Sequence, residues 1–191
     1  MGRLGAFLVI LAMWLSMLGC GPEPLPRHFF IDARFTGPER GLILEAADKW
    51  NALGQELLDV DALAYDGIWE QDAEFEPIRD LGDDVHVVYV GSEQVWNGRR
   101  MYTDEKMVGS ATRGDVIIYR FTMIAEETGE VDPSNFRLTV IHEFGHFLNL
   151  HHVHDAKSIM NASGESIDAT GPLEFSRVDR AAFCCVYDCD D

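Results

Sequence analysis

The sequence has 191 residues, 33 of them acidic and 15 Lys or Arg, for a formal net charge of −18, and 47% are hydrophobic. That is enough apolar material for one domain with a real core. So negative a surface repels phosphate backbones and anionic lipid headgroups, which argues against nucleic acid or electrostatic membrane binding. The acids are dispersed, and although Asp80, Asp83 and Asp84 offer oxygen ligands, no calcium-loop spacing supports a Ca2+ site.

In chain order, Arg3 supplies a short positive start and Leu4 to Leu18 is almost entirely apolar. That run falls short of the about 20 residues a bilayer-spanning helix needs, so residues 1–19 read as an export signal. The run closes on Met17-Leu18-Gly19-Cys20, which resembles the lipobox of bacterial lipoproteins. The resemblance implies that Cys20 becomes the lipidated first residue, anchoring an exported protein to a bacterial (outer) membrane through that lipid alone. An ordinary cleaved signal would instead leave the protein secreted. The next stretch, through Arg27, carries three prolines and reads as a tether. The expected division is signal 1–19, tether 20–27 and a single domain 28–191, with no internal repeat and a monomeric state.

His28 to Phe35 reads as a strand. Thr36-Gly37-Pro38-Glu39 has capping-box spacing, and Ile43, Ala46, Ala47, Trp50 and Leu53 recur at helical intervals, with Gly54 placed to close that helix and Trp50 in the core. A strand is expected near Leu57–Tyr65, a central strand over Val85–Val90, another over Met107–Thr112, and a stronger one from Asp115 to Phe121. Asp132-Pro133 opens a helix that should run to about Leu148, and a last short helix follows Ser176. Cys184, Cys185 and Cys189 crowd the tail, where export permits one disulfide that includes Cys189 and leaves one thiol.

The segment richest in chemistry is His142-Glu143-Phe144-Gly145-His146, followed by Phe147-Leu148-Asn149-Leu150-His151-His152. Residues four apart on a helix share a face, so His142 and His146 can converge on one ion. Glu143, beside the first ligand, can hold and deprotonate a water whose pKa zinc lowers to about 7. A lone helix histidine is most often a hydrogen-bonded core residue. Two of them with an adjacent acid in the apolar run Val140–Leu150 would be costly without a partner, and a metal supplies one.

HEFGHFLNLHH resembles the metzincin pattern HExxHxxGxxH, with Asn149 where glycine normally stands. Asn also adopts the left-handed conformation that ends a helix sharply. The resemblance makes His152 the third zinc ligand. After a turn at Asn149, an extended step returns His152 to the ion, while His151 faces the other way and His154 lies too far along. Ser158-Ile159-Met160-Asn161 resembles the family's methionine turn, and the short interval from His152 to Met160 resembles the matrixin branch. Ala162 stands where astacin-like relatives place a ligand tyrosine, and no cysteine-switch segment is found, so latency through a long propeptide is not expected.

The resemblance implies an α/β (α+β) fold, a twisted mixed sheet with an active-site helix, a backing helix and a short C-terminal helix. It implies a Zn2+-dependent endopeptidase with Glu143 as general base, acting on peptide or protein. An extended substrate would pair with the edge strand Met107, Val108, Gly109, Ser110, Ala111 and Thr112. Three rivals stand beside it: a zincin with a carboxylate such as Glu174 as third ligand, a catalytically inactive metal-binding surface lipoprotein, and a structural zinc.

Overall fold

The computed structural model of the protein describes residues 24–70, 85–91, 109–112, 115–118, 123, 125, 128–162 and 167–189. Residues 1–19, Cys20, Asp80, Asp83, Asp84, Met107 and Val108 lie outside them. Among the described residues, no helix is long and apolar enough to cross a membrane.

Among the described residues, five strands form one sheet: β1 (Arg27–Asp32), β2 (Leu63–Trp69), β3 (Val87–Val90), β4 (Gly109–Thr112) and β5 (Asp115–Ile118), in the order β2-β1-β3-β5-β4. The first four in that order are mutually parallel, and β4 runs antiparallel to β5 at the edge. Among the described residues there are three helices: α1 (Gly37–Leu58), α2 (Pro133–Phe147) and α3 (Arg177–Tyr187). This is the expected mixed α/β class, with Val87–Val90 at the sheet's centre.

The alternation of β1 buries Phe29 and Ile31, which meet Val88, Val116 and Ile118 of neighbouring strands and the apolar faces of α1 and α2 in one core. The strand ends at Asp32 rather than Phe35. Asp32 is buried, and its carboxylate accepts from the Arg34 backbone N–H and guanidinium and from the Val90 N–H, which turns the chain early. Thr36 and Glu39 form the capping box of α1, with Glu39 Oε2 accepting from the Thr36 N–H at 2.7 Å.

Trp50 is fully buried on α1 and donates from Nε1 to the Ile141 carbonyl of α2 at 2.9 Å. Its ring also packs on Phe175, centroids 4.3 Å apart, so one side chain ties the backing helix, α2 and the chain leading into α3 together. At the tail, Cys184 and Cys189 form a disulfide, and Cys185 is free and exposed. Tyr187 donates to the Leu148 carbonyl at 3.1 Å, joining α3 to the end of α2.

Helix α1 continues past Gly54 to a left-handed cap at Asp59 (φ 57°), and the following strand is shifted to Leu63–Trp69. Gly54 serves a different purpose from ending the helix. The chain doubles back so tightly that a Cβ there would lie 2.6 Å from the Val60 carbonyl oxygen, while Asn51 Oδ1 accepts from the Leu63 N–H at 2.7 Å. Gly41 of the same helix has open space around it. The two glycines should therefore respond oppositely to alanine. Gly41→Ala should stabilise by about 0.5–1 kcal/mol through reduced backbone entropy, and Gly54→Ala should destabilise by about 1–3 kcal/mol through overpacking. Urea unfolding of both variants checks the two signs.

Candidate metal centre

Asp132 caps α2, accepting from the Ser134 N–H at 2.9 Å, with Pro133 in the first turn. The helix buries Phe136, Val140, Ile141, Phe144 and Phe147 and leaves His142 and His146 half-buried on another face. It ends through Asn149, whose φ is 63°. The Leu150 N–H bonds the Gly145 carbonyl and the Asn149 N–H bonds the His146 carbonyl, each at 2.9 Å, the paired bonds of a Schellman termination. Leu150 is buried just past the turn.

This turn brings three imidazoles together. His152 Nε2 lies 3.2 Å from His142 Nε2 and 3.0 Å from His146 Nε2. Their opposite nitrogens are occupied: His142 Nδ1 donates to the Ile159 carbonyl at 2.6 Å and His146 Nδ1 to the Leu150 carbonyl at 2.8 Å. With the protons on Nδ1, both Nε2 atoms present bare lone pairs, and His152 can donate to only one of them. Burial pushes the pKa of His142 down to about 4, with His146 and His152 adding to the effect and the Ile159 carbonyl opposing it. Burial likewise lowers that of His146.

Neutral imidazoles with converging lone pairs are a donor set for a cation. Zn–N bonds of about 2.0–2.1 Å at tetrahedral angles imply ligand nitrogens roughly 3.3 Å apart, close to the spacings found. Among the described residues, His142, His146 and His152 are the group able to hold a metal ion. His151 and His154 are exposed and outside the cluster. Glu174 is 80% exposed and sits 3.6 Å from Lys49 Nζ, apart from the histidines.

Glu143 is buried, and its Oε2 has no hydrogen-bond partner among the described residues. Burial alone pushes its pKa up to about 8. A carboxyl this deeply placed and unpartnered, one residue from His142, suits a site where a cation and a polar reactant stabilise its charged form.

Met160 is fully buried against Gly145, where a Cβ would overlap the thioether sulfur and fall 3.1 Å from Trp50 Cζ2. Glycine in the last turn of α2 is a clearance requirement here. The turn carrying Met160 is held by a residue that sequence reasoning did not single out. Asp179 of α3 is fully buried, and its carboxylate accepts from the Ile159 N–H at 3.1 Å, the Met160 N–H at 3.2 Å and the Ser158 hydroxyl. It also accepts from the Ser176 N–H at 2.8 Å, completing the capping box of α3. The Ser176-x-x-Asp179 spacing was a readable cap signal, but its reach back to Ile159, and through that carbonyl to His142, was not.

The edge strand β4 packs against α2, and among the described residues β5 is its one neighbour in the sheet.

The family model for matrixin peptidases matches residues 33–188, well over half of the 191-residue chain. The chain belongs to the matrixin family. This matrixin is therefore a zinc-dependent metallopeptidase by family, and its three-histidine group is consistent with zinc binding. A solved structure similar to it is that of a zinc-dependent peptidase from Methanocorpusculum labreanum (strain Z), at 17% identity, covering 82% of this chain and 98% of the other, with a TM-score of 0.46. No curated protein matches the sequence.

Replacing Asp179 of this matrixin by Asn removes an acceptor oxygen and orphans at least one buried donor, which should cost about 1–3 kcal/mol. Because the loss also loosens the carbonyl that orients His142, zinc affinity should fall about tenfold to a hundredfold. Urea unfolding and zinc competition with a chromogenic chelator measure the two effects. Parent-like zinc affinity would remove Asp179 from the support of the site.

Proposed function

We propose that the protein is a zinc-dependent endopeptidase, with His142, His146 and His152 as ligands and Glu143 as general base. The observation that carries this reading is the convergence of three Nε2 atoms beside a buried, unpartnered carboxyl group. Bound zinc supplies a Lewis acid that acidifies water and polarises a carbonyl. The remaining work falls to the chain. The Ile159 and Leu150 carbonyls fix the tautomers of His142 and His146 and aim their lone pairs. Glu143 takes the proton of the attacking water and delivers it to the leaving nitrogen, its low-dielectric surroundings keeping it a strong enough base for the first step and a ready acid for the second. An extended peptide pairs with β4 at Gly109–Thr112, along the edge that no strand covers among the described residues.

The alternative is a metal-binding surface lipoprotein that cleaves nothing. A pure binder has no use for a buried carboxyl group beside the ligands, and Glu143 favours the enzyme. We further propose that Cys20 carries the lipid that tethers the exported domain. Intact-mass measurement of the membrane-extracted protein should find diacylglycerol on Cys20, and an unmodified Cys20 or a start elsewhere refutes the anchor.

Glu143→Gln should retain one zinc per chain and lose most peptide hydrolysis. His152→Ala should lose metal and activity together, whereas His151→Ala and His154→Ala keep the metal. Metal analysis beside a peptide assay separates these cases. Zinc retained in His152→Ala but lost in Glu174→Ala would replace the histidine triad with a carboxylate-ligand site.

A further inference from the structure

Helix α3 is fastened to the framework of the metal centre at both ends. At its start, Asp179 holds the Met160 turn. At its end, the Tyr187 hydroxyl donates to the carbonyl of Leu148, the fully buried C-cap of α2, at 3.1 Å. The last carbonyls of a helix have no partner inside it, so a hydroxyl arriving from another helix satisfies a group that is costly to leave bare. The two residues that follow shape the site. Asn149 makes the left-handed turn, and the Leu150 carbonyl accepts from His146 Nδ1 at 2.8 Å.

Tyr187 is itself enclosed by a covalent loop. The Cys184–Cys189 disulfide spans it together with the left-handed cap at Asp188, whose N–H bonds the Cys184 carbonyl at 2.8 Å. One turn earlier, Phe183 is fully buried, stacks on Trp50 and packs on the Tyr187 ring with centroids 4.9 Å apart. Core packing therefore secures α3 as far as Phe183, whereas residues 185–188 are exposed or half-buried. A helix end of that kind opens locally at low cost, and a short disulfide loop limits the states open to it. Both bridge cysteines are half-buried rather than enclosed, so an outside thiolate can approach them.

We propose that the Cys184–Cys189 disulfide is a redox-sensitive latch on the metal centre, acting through Tyr187 as a positioning residue. The co-reactant is a dithiol. One of its thiolates attacks a bridge sulfur, forming a mixed disulfide and releasing the other cysteine; its second thiol then displaces the first cysteine and closes the reagent's own disulfide. The dithiol is oxidised, Cys184 and Cys189 are reduced, and the protons of the dithiol end on the two cysteines. With the loop open, the last turn of α3 frays, the Leu148 carbonyl loses the Tyr187 hydroxyl, and the turn at Asn149 that aims the Leu150 carbonyl loosens. The effect on zinc rests on His142, His146 and His152 being its ligands; the latch on α2 does not.

The test compares the full chain with its disulfide intact and after reduction by dithiothreitol, the reagent then removed by anaerobic gel filtration and zinc restored. The variants are Tyr187→Phe, Cys185→Ser and the double variant Cys184→Ser with Cys189→Ser. Reduction of the parent should make the amides of 149, 150 and 186–188 exchange on the order of tenfold faster, with β1 and the centre of α1 unchanged. Zinc transfer to a chromogenic chelator should quicken about tenfold, and oxidised glutathione, which re-forms the bridge, should restore the slow rate. The double variant should match the reduced parent. Tyr187→Phe should release zinc about tenfold faster with the bridge intact, and reduction should then add no more than about twofold. Cys185→Ser keeps the bridge and should match the parent in both states. Equal zinc release and exchange before and after reduction overturn the latch, as does a native parent whose peptide map lacks the Cys184–Cys189 bond. Reduction that accelerates Tyr187→Phe as much as the parent refutes the route through Tyr187, and lost protection in β1 shows general destabilisation instead. Altered zinc release in Cys185→Ser also overturns it, by assigning control to the free thiol. If the serine double variant does not fold, the reduced parent gives the same readings. If Tyr187→Phe does not fold, exchange at 149 and 150 in the reduced parent decides, parent-like values counting against the latch. A parent that binds no zinc defeats the ligand assignment, while the same exchange measurement still decides whether the latch holds α2.

Discussion

Everything at the metal centre follows from where α2 stops. One more helical turn would carry the chain past His142 and His146 with no route back to them. The left-handed residue at 149 breaks the helix, pairs its last carbonyls with the Asn149 and Leu150 N–H groups, and aims the Leu150 carbonyl at His146. A β-branched residue at this φ would meet a steric penalty, whereas Asn tolerates it. One backbone conformation thus ends the helix, orients a second imidazole and returns a third.

Behind the ligands stands a buried layer that is mostly backbone. Asp179 holds the Met160 turn, the turn presents the Ile159 carbonyl, and that carbonyl fixes the ring of His142. Met160 and Trp50 both crowd α2 at Gly145, the position where a side chain has no room. The fixed geometry has an electrostatic consequence. His142 is held neutral with a pKa near 4, and Glu143 is raised to about 8, so in a metal-free protein at neutral pH both groups are uncharged. A cation reverses the balance for Glu143 and leaves the imidazoles in the form that binds metal.

Much of this was legible in the sequence because the strongest signals are local. The spacing of His142 and His146, the cap at Asp132-Pro133, the capping box at Thr36–Glu39 and the left-handed residue at Asn149 each specify backbone within one or two turns. Gly54 misled for a physical reason: a glycine inside a helix can mark close approach of another chain segment as well as a helix end, and only the return of Val60 tells them apart. The strand following α1 was displaced with that boundary. Asp179 was illegible because it accepts from the backbone N–H groups of Ile159 and Met160, and Lys49 and Arg137 because they donate to the carbonyls of Leu173 and of Ala169 and Gly171; no periodicity records a side chain that reaches remote backbone. Even the cap signal at Ser176 announced only the start of α3, giving no hint that its Asp179 also supports the floor of the site.

The central claim is that this geometry cuts peptide bonds with zinc. It is tested most directly by incubating the purified full chain with a proteome-derived peptide library and reading new termini by mass spectrometry, with zinc, with chelator, and with zinc restored. The account predicts internal cuts that vanish with chelator and return with zinc. A zinc-loaded protein that produces no new termini, or cuts that persist undiminished in chelator, would contradict it.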